Sequence, residues 1–201
     1  MNISRRKAVG LIGAASMLSS VSTLAQSQGS ASSAVTGTFD SSEIYDQIGF
    51  ELVMNINVIC SKPESMGPEV NAADGIRDVV WPIVGGRFSG PGISGRVLPG
   101  GGDFPVTRPD GGVIIDALYR LQTDDGYQII IHNKGLGYAA GNGVIEGIYR
   151  LTPVFNVSGD KYSWLRESTF VATLTFPTPE KHKIPMESGQ NDRLIQVFRL
   201  T

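Results

Sequence analysis

Residues 112–133 read GVIIDALYRLQTDDGYQIIIHN, and this stretch decides the fold. Asp116, Leu118, Arg120 and Gln122 alternate with Ala117, Tyr119 and Leu121, the period of two that an extended strand imposes on its side chains. Thr123-Asp124-Asp125-Gly126 interrupts the pattern, and Asp-Gly is among the strongest short hairpin signals. Antiparallel pairing of 112–122 with 127–133 is therefore expected. One face of the first strand is polar and the other apolar. In a closed barrel either face could be the interior: a polar interior makes a solvated ligand pocket, an apolar one a filled core.

The same grammar repeats on both sides. From Gly49, Phe50, Leu52, Met54, Ile56, Val58 and Cys60 share one face of a long strand. Residues 61–75, with Pro63, Gly67, Pro68 and Gly75, are expected to be loop. Further strands are predicted over 76–84, 87–98, 144–155, 169–176 and 193–200, each bounded by Gly, Pro, Asp or Asn. No segment carries a helical apolar stripe, although 162–168 could form one helical turn. Eight or nine strands with almost no helix imply a barrel or a sandwich. Glycines recurring inside the strands favour a single antiparallel β-barrel, because coiled strands at barrel corners need them.

Length and composition agree with one domain: 201 residues, 41% hydrophobic and 18% charged, can bury one sizeable core. The N-terminus has a separate character. Ser4-Arg5-Arg6-Lys7 precedes a weakly apolar run from Ala8 to Val21, and Thr23-Leu24-Ala25 offers small residues for cleavage. This reads as a twin-arginine export signal over 1–25, followed by a polar spacer over 26–38 and a barrel domain over 39–201. The expected location is periplasmic or secreted, with no membrane association once the signal is removed. Cleavage would delete three positive charges and no negative ones, taking the formal net charge from -2 to -5. Nucleic acid is then excluded as a partner, because phosphate binding needs a basic footprint. Cys60 is the single cysteine, so no intrachain disulfide can form, and its place on an apolar strand face marks a buried, inert thiol.

The densest feature is 85–103, with eight glycines in nineteen residues. Gly90 to Gly95 spells G-x-G-x-x-G, but a dinucleotide site needs a helix after it, and Ile93 to Leu98 reads as strand. The glycines either permit tight coiling or open room for a ligand against the backbone. Asp103, after three glycines at a strand end, either projects into a barrel mouth or braces a turn. Asp116 and Arg120 lie two rungs apart and could pair, which would lower the carboxylate pKa and disfavour it as a general base. His132 and His182 stand fifty residues apart with no cysteine cluster, so no metal site is expected; a G-x-S-x-G elbow is absent.

The order Gly85-Gly86, Gly90-Pro91, Gly95, Pro99-Gly100-Gly101-x-Asp103, Asp110-Gly111, Asp116, Thr123-x-Asp125-Gly126, Tyr149-Arg150-x-Thr152-Pro153-x-Phe155 and Tyr162-x-Trp164-Leu165 resembles the family catalogued as domain of unknown function three-two-three-seven. The resemblance covers about Phe50 to Phe198. It implies a compact, often self-associating β-barrel with an internal pocket. Some fungal relatives guide ring closure of a phenolic intermediate by adding a hydroxyl to an alkene. By matching motif it points to Arg87, Asp103, Asp116, Tyr149 and Trp164, and the chain departs from the pattern at Phe104 and Leu118. Asp103, Asp116, Arg87 and Tyr149 are thus the catalytic candidates. Trp164, Arg120 and His132 are the substrate contacts, although Trp164 and Phe155 suit core anchors better than stacking platforms. The expected function is binding of a small aromatic or carbonyl-bearing molecule by a cofactor-free acid/base enzyme for cyclisation, isomerisation or hydration. A non-catalytic periplasmic binding protein is the alternative.

Overall fold

The computed structural model describes residues 47–67, 79–138 and 147–201. The expected signal, the spacer, the domain start at Phe39 and the first residues of two expected strands, 76–78 and 144–146, lie outside them.

Ten strands form in chain order: β1 (Phe50–Cys60), β2 (Glu64–Ser65), β3 (Val79–Gly90), β4 (Ile93–Asp103), β5 (Val106–Thr107), β6 (Gly112–Thr123), β7 (Gln128–Tyr138), β8 (Gly147–Val157), β9 (Phe170–Phe176) and β10 (Asn191–Leu200). One helical turn, α1 (Trp164–Glu167), falls inside the expected 162–168. The order β1-β10-β9-β8-β7-β6-β4-β3 returns to β1 through a β1–β3 pairing. The result is a closed eight-stranded antiparallel barrel, with β2 and β5 added beside β3 and β6.

The β6–β7 hairpin forms where Asp-Gly places it, with unbroken register from Gly112↔Tyr138 to Gln122↔Gln128. Gly126 takes φ 95°, and the Tyr127 amide donates to Thr123 Oγ1 at 2.8 Å. The apolar face is the interior: Val113, Ile115, Ala117, Tyr119 and Leu121 are buried, while Asp116, Leu118, Arg120 and Gln122 face outward. The barrel is therefore largely filled by its own side chains.

Two expectations are corrected. Strands over 76–84 and 87–98 are in fact the hairpin β3–β4, turning at Gly90-Pro91-Gly92-Ile93. Gly85-Gly86 does not end a strand; β3 runs through it with a register shift between Ile83 and Arg87. Gly86 sits at φ 132°, and a Cβ there would lie 2.0 Å from the Asn57 carbonyl oxygen, so glycine lets β3 press against β1 at the seam. On β1 a bulge between Leu52 and Met54 breaks the single expected face. Met54, Ile56, Val58 and Cys60 point inward, but Phe50 is 71% exposed and stacks edge-on against Phe198, 5.8 Å away.

The end of the barrel where β8 finishes is packed by aromatics. Phe155 meets Phe170 at 5.1 Å, Trp164 lies 6.0 Å from Phe170, and Leu165 is 1% exposed. At the other end, where β8 begins, the described residues surround a cavity.

Candidate active site at the open mouth

A cavity of about 360 Å³ occupies the open end. It is lined by Trp81 from β3, Asp103 from β4, Val113 and Ile115 from β6, Tyr149 from β8, Phe176 from β9 and Arg193 from β10, with Pro63 and Pro105 at its rim. A small void behind it brings in the buried Tyr119 hydroxyl and Asn133 amide.

Asp103 reaches the cavity because of the three glycines before it. The β4–β6 register shifts between Leu98 and Gly102, and a Cβ on Gly101 would lie 2.5 Å from that of Tyr119. Bare backbone thus lets β4 approach β6 closely, and Asp103, opposite Ala117, falls on the interior face. It is 5% exposed, and its Oδ1 accepts the Asp116 amide at 3.2 Å. Asp103 thus lines the mouth, and the amide it braces is that of Asp116 on the neighbouring strand β6 rather than of a turn.

Tyr149 enters over another glycine. A Cβ on Gly137 would stand 1.9 Å from Tyr149 Cδ1, so the ring lies flat across a position with no side chain. Tyr149 is 1% exposed, and among the described residues its hydroxyl has no hydrogen-bond partner. Burial pushes the phenol above its ordinary pKa; the Arg193 charge opposes that rise and Asp103 adds to it. The group is held as a proton donor. Cys60, deeper in the core, is pushed up to about 11, chiefly by burial, so it remains a thiol at neutral pH.

Arg193 opens β10 in phase with the buried Ile195 and Val197. Its guanidinium lies 4.6 Å from the Trp81 ring centroid and 5.2 Å from that of Phe176, and it donates to Asn191 Oδ1. Sequence reasoning missed Arg193, Trp81 and Phe176. The available signal was an arginine in step with an apolar strand face, which only a barrel mouth can accommodate.

Of the sequence candidates, the structure brings Asp103 and Tyr149 together and leaves the others elsewhere. Arg87 is exposed on the outside of β3. Asp116 sits on the outer face and pairs with His132 Nε2 at 2.7 Å, not with Arg120. Arg120, also outside, reaches Gln128 Oε1 at 3.3 Å. Trp164 packs at the closed end, with the Arg199 guanidinium 5.8 Å from its ring. Among the described residues, no three His, Cys, Asp or Glu side chains are grouped to hold a metal ion.

Comparison with known proteins follows the same outline. A UPF0311 protein of Clostridium acetobutylicum is 32% identical over 136 residues, covering 62% of this chain and 84% of that protein. A crystal structure of a protein with unknown function from the same organism superposes with a TM-score of 0.62 at 27% identity, covering 77% of this chain and 100% of the other. A hydroalkoxylation enzyme of Penicillium herquei is 31% identical over 88 residues, which span 43% of this chain and 50% of the enzyme. The model of the family described as Protein of unknown function (DUF3237) matches residues 48–184, and the chain belongs to that family.

Proposed function

We propose that the mouth cavity binds a small organic molecule and that the protein acts on it by cofactor-free acid/base chemistry. One observation carries this reading. An apolar, aromatic-lined cavity holds a carboxylate and a buried phenol that has no hydrogen-bond partner among the described residues, the arrangement of a site that expects polar atoms from a ligand. The similarity to a hydroalkoxylation enzyme supports addition of a hydroxyl across an alkene as the reaction class. In such a step Asp103 takes the proton from the attacking hydroxyl as the carbon–oxygen bond forms. The alkene's π electrons pass through the neighbouring carbon onto a conjugated oxygen, whose negative charge the Tyr149 hydroxyl steadies, and that carbon then takes up the proton held by Asp103, restoring the carboxylate.

The test is turnover of phenol-bearing alkenes by the purified chain and its variants. Asp103→Asn is expected to lower kcat by about 10²–10⁴ with little change in KM, the usual yield of a positioned acid/base group. Arg120→Ala and His132→Ala, on the outer face, should leave turnover intact. Full activity in Asp103→Asn would sink the proposal. Measurable binding without turnover of any such compound would favour a non-catalytic binding protein using the same cavity.

We further place this activity outside the cytoplasm, on the strength of Ser4-Arg5-Arg6-Lys7 and the weakly apolar run after it. N-terminal sequencing of protein recovered from the periplasm should begin near Gln26; recovery only from the cytosol, with Met1 retained, would refute export.

A further inference from the structure

We propose that Arg193 selects a ligand bearing an anionic oxygen, so that the cavity takes an apolar, ring-containing oxyanion in preference to its neutral counterpart. The inference rests on the cavity being a ligand site. It begins from an imbalance at the mouth. The Arg193 guanidinium lies against two aromatic rings, at 4.6 and 5.2 Å from their centroids, and its one side-chain hydrogen bond goes to the neutral Asn191 amide oxygen. A guanidinium carries five N–H donors in a planar fork. Stacking on rings uses the face of the guanidinium, and a single amide acceptor leaves most of the fork unused. Moving such a group from water into a half-buried, apolar-walled recess is costly unless an anion meets it. A ligand carboxylate or phenolate does so through charge-assisted, bidentate or paired hydrogen bonds.

A second observation points the same way. Tyr149 lines the same cavity and is 1% exposed, and among the described residues its hydroxyl has no hydrogen-bond partner. Held protonated by burial, it is a donor to an oxygen acceptor. Asp103 is the competing charge. Its Oδ1 accepts the Asp116 amide at 3.2 Å. The two charges thus give the cavity a polarity: the ligand's oxyanion goes to Arg193 and Tyr149, and a proton-bearing group faces Asp103.

The experiment uses the full chain and two matched probes, 1-naphthoate and neutral 1-naphthamide, titrated by calorimetry and by the fluorescence of Trp81. Naphthoate is expected to bind at least about tenfold more tightly, the order that charge-assisted hydrogen bonds supply. Arg193→Gln should reduce that ratio to about one, and Arg193→Lys should keep part of it, since charge remains but the fork does not. In parallel, 4-nitrophenol titrated through its ionisation shows whether a phenolate serves as well as a carboxylate; tightening for either anion supports the proposal. Equal binding of anionic and neutral probes overturns it while leaving the cavity as a ligand site. A preference that survives in Arg193→Gln removes the role from Arg193. Binding of no probe at all overturns the cavity reading itself. If Arg193→Gln does not fold, the wild-type ratio and Arg193→Lys still decide.

Discussion

Tyr149 and Gly137 show how the site depends on a side chain that is not there. The phenol can lie across β7 only because position 137 has no Cβ; an added methyl would sit 1.9 Å from the ring. Neither backbone nor a fully buried ring can yield at that distance, so Gly137→Ala must displace Tyr149. A loss of about 1–3 kcal/mol is expected, as for other overpacked interiors, and should be read from denaturant unfolding. The same variant should lose naphthoate binding, because the displaced hydroxyl no longer faces the cavity. A Gly137→Ala protein with unchanged stability and binding would show that the ring is not held there. Residue chemistry named Asp103 in advance, and the family resemblance named Tyr149. The sequence also offered Arg87, Asp116, Arg120 and His132, which lie on the outer face. A polar side chain alternating along a strand looks the same whether it lines a pocket or meets water.

The β6–β7 hairpin is the element whose ends are most firmly tied. At its turn, Asp125 accepts from Lys161 and from the Tyr162 hydroxyl at 3.0 Å, and Tyr127 meets Tyr162 edge-on at 5.3 Å. These contacts join the turn to the segment that follows β8. Hydrogen bonding from Lys161, then from Thr123, holds the Asp125 carboxyl down at about 2, below its ordinary 3.8. A carboxyl whose folded pKa is depressed contributes stability that is complete above its unfolded pKa and is lost as pH falls through the folded one. Wild type should therefore melt higher than Asp125→Asn at pH 6, and the gap should close as pH falls from about 4 towards 2. A pH-independent gap would mean that the ion pair is not its source. The hairpin was legible because Asp-Gly and strict alternation agree. The β3–β4 hairpin was not, because its glycines act as bulges and close contacts at 85–86 and as a turn at 90–92, roles that sequence does not separate.

Closure of the barrel depends on the β1–β3 seam, which joins β1, already paired with β10, to β3, already paired with β4. Gly86 is a tight point of that seam, with a positive φ and the Asn57 carbonyl 2.0 Å from where a Cβ would be; its neighbour Gly85 has nothing within 4 Å. Gly86→Ala should cost about 1–3 kcal/mol through strain and clash at the seam, whereas Gly85→Ala should change stability by less than about 1 kcal/mol. Comparable effects at both positions would mean that the seam tolerates side chains and that closure is secured elsewhere. The sequence by itself determined the all-β class, most strand positions, the β6–β7 turn, the inert thiol and one carboxylate of the mouth, because periodicity and turn chemistry are local; the phenol was pointed to by the family resemblance. Only the tertiary structure decided which face of each strand turns inward. It also decided that β1 reverses its face at a bulge, and that Trp81, Phe176 and Arg193 converge on Asp103 and Tyr149. The reason is physical: a period of two is unchanged when a strand is turned over. Inside and outside become distinct only when eight strands close and each apolar face finds the others to bury against.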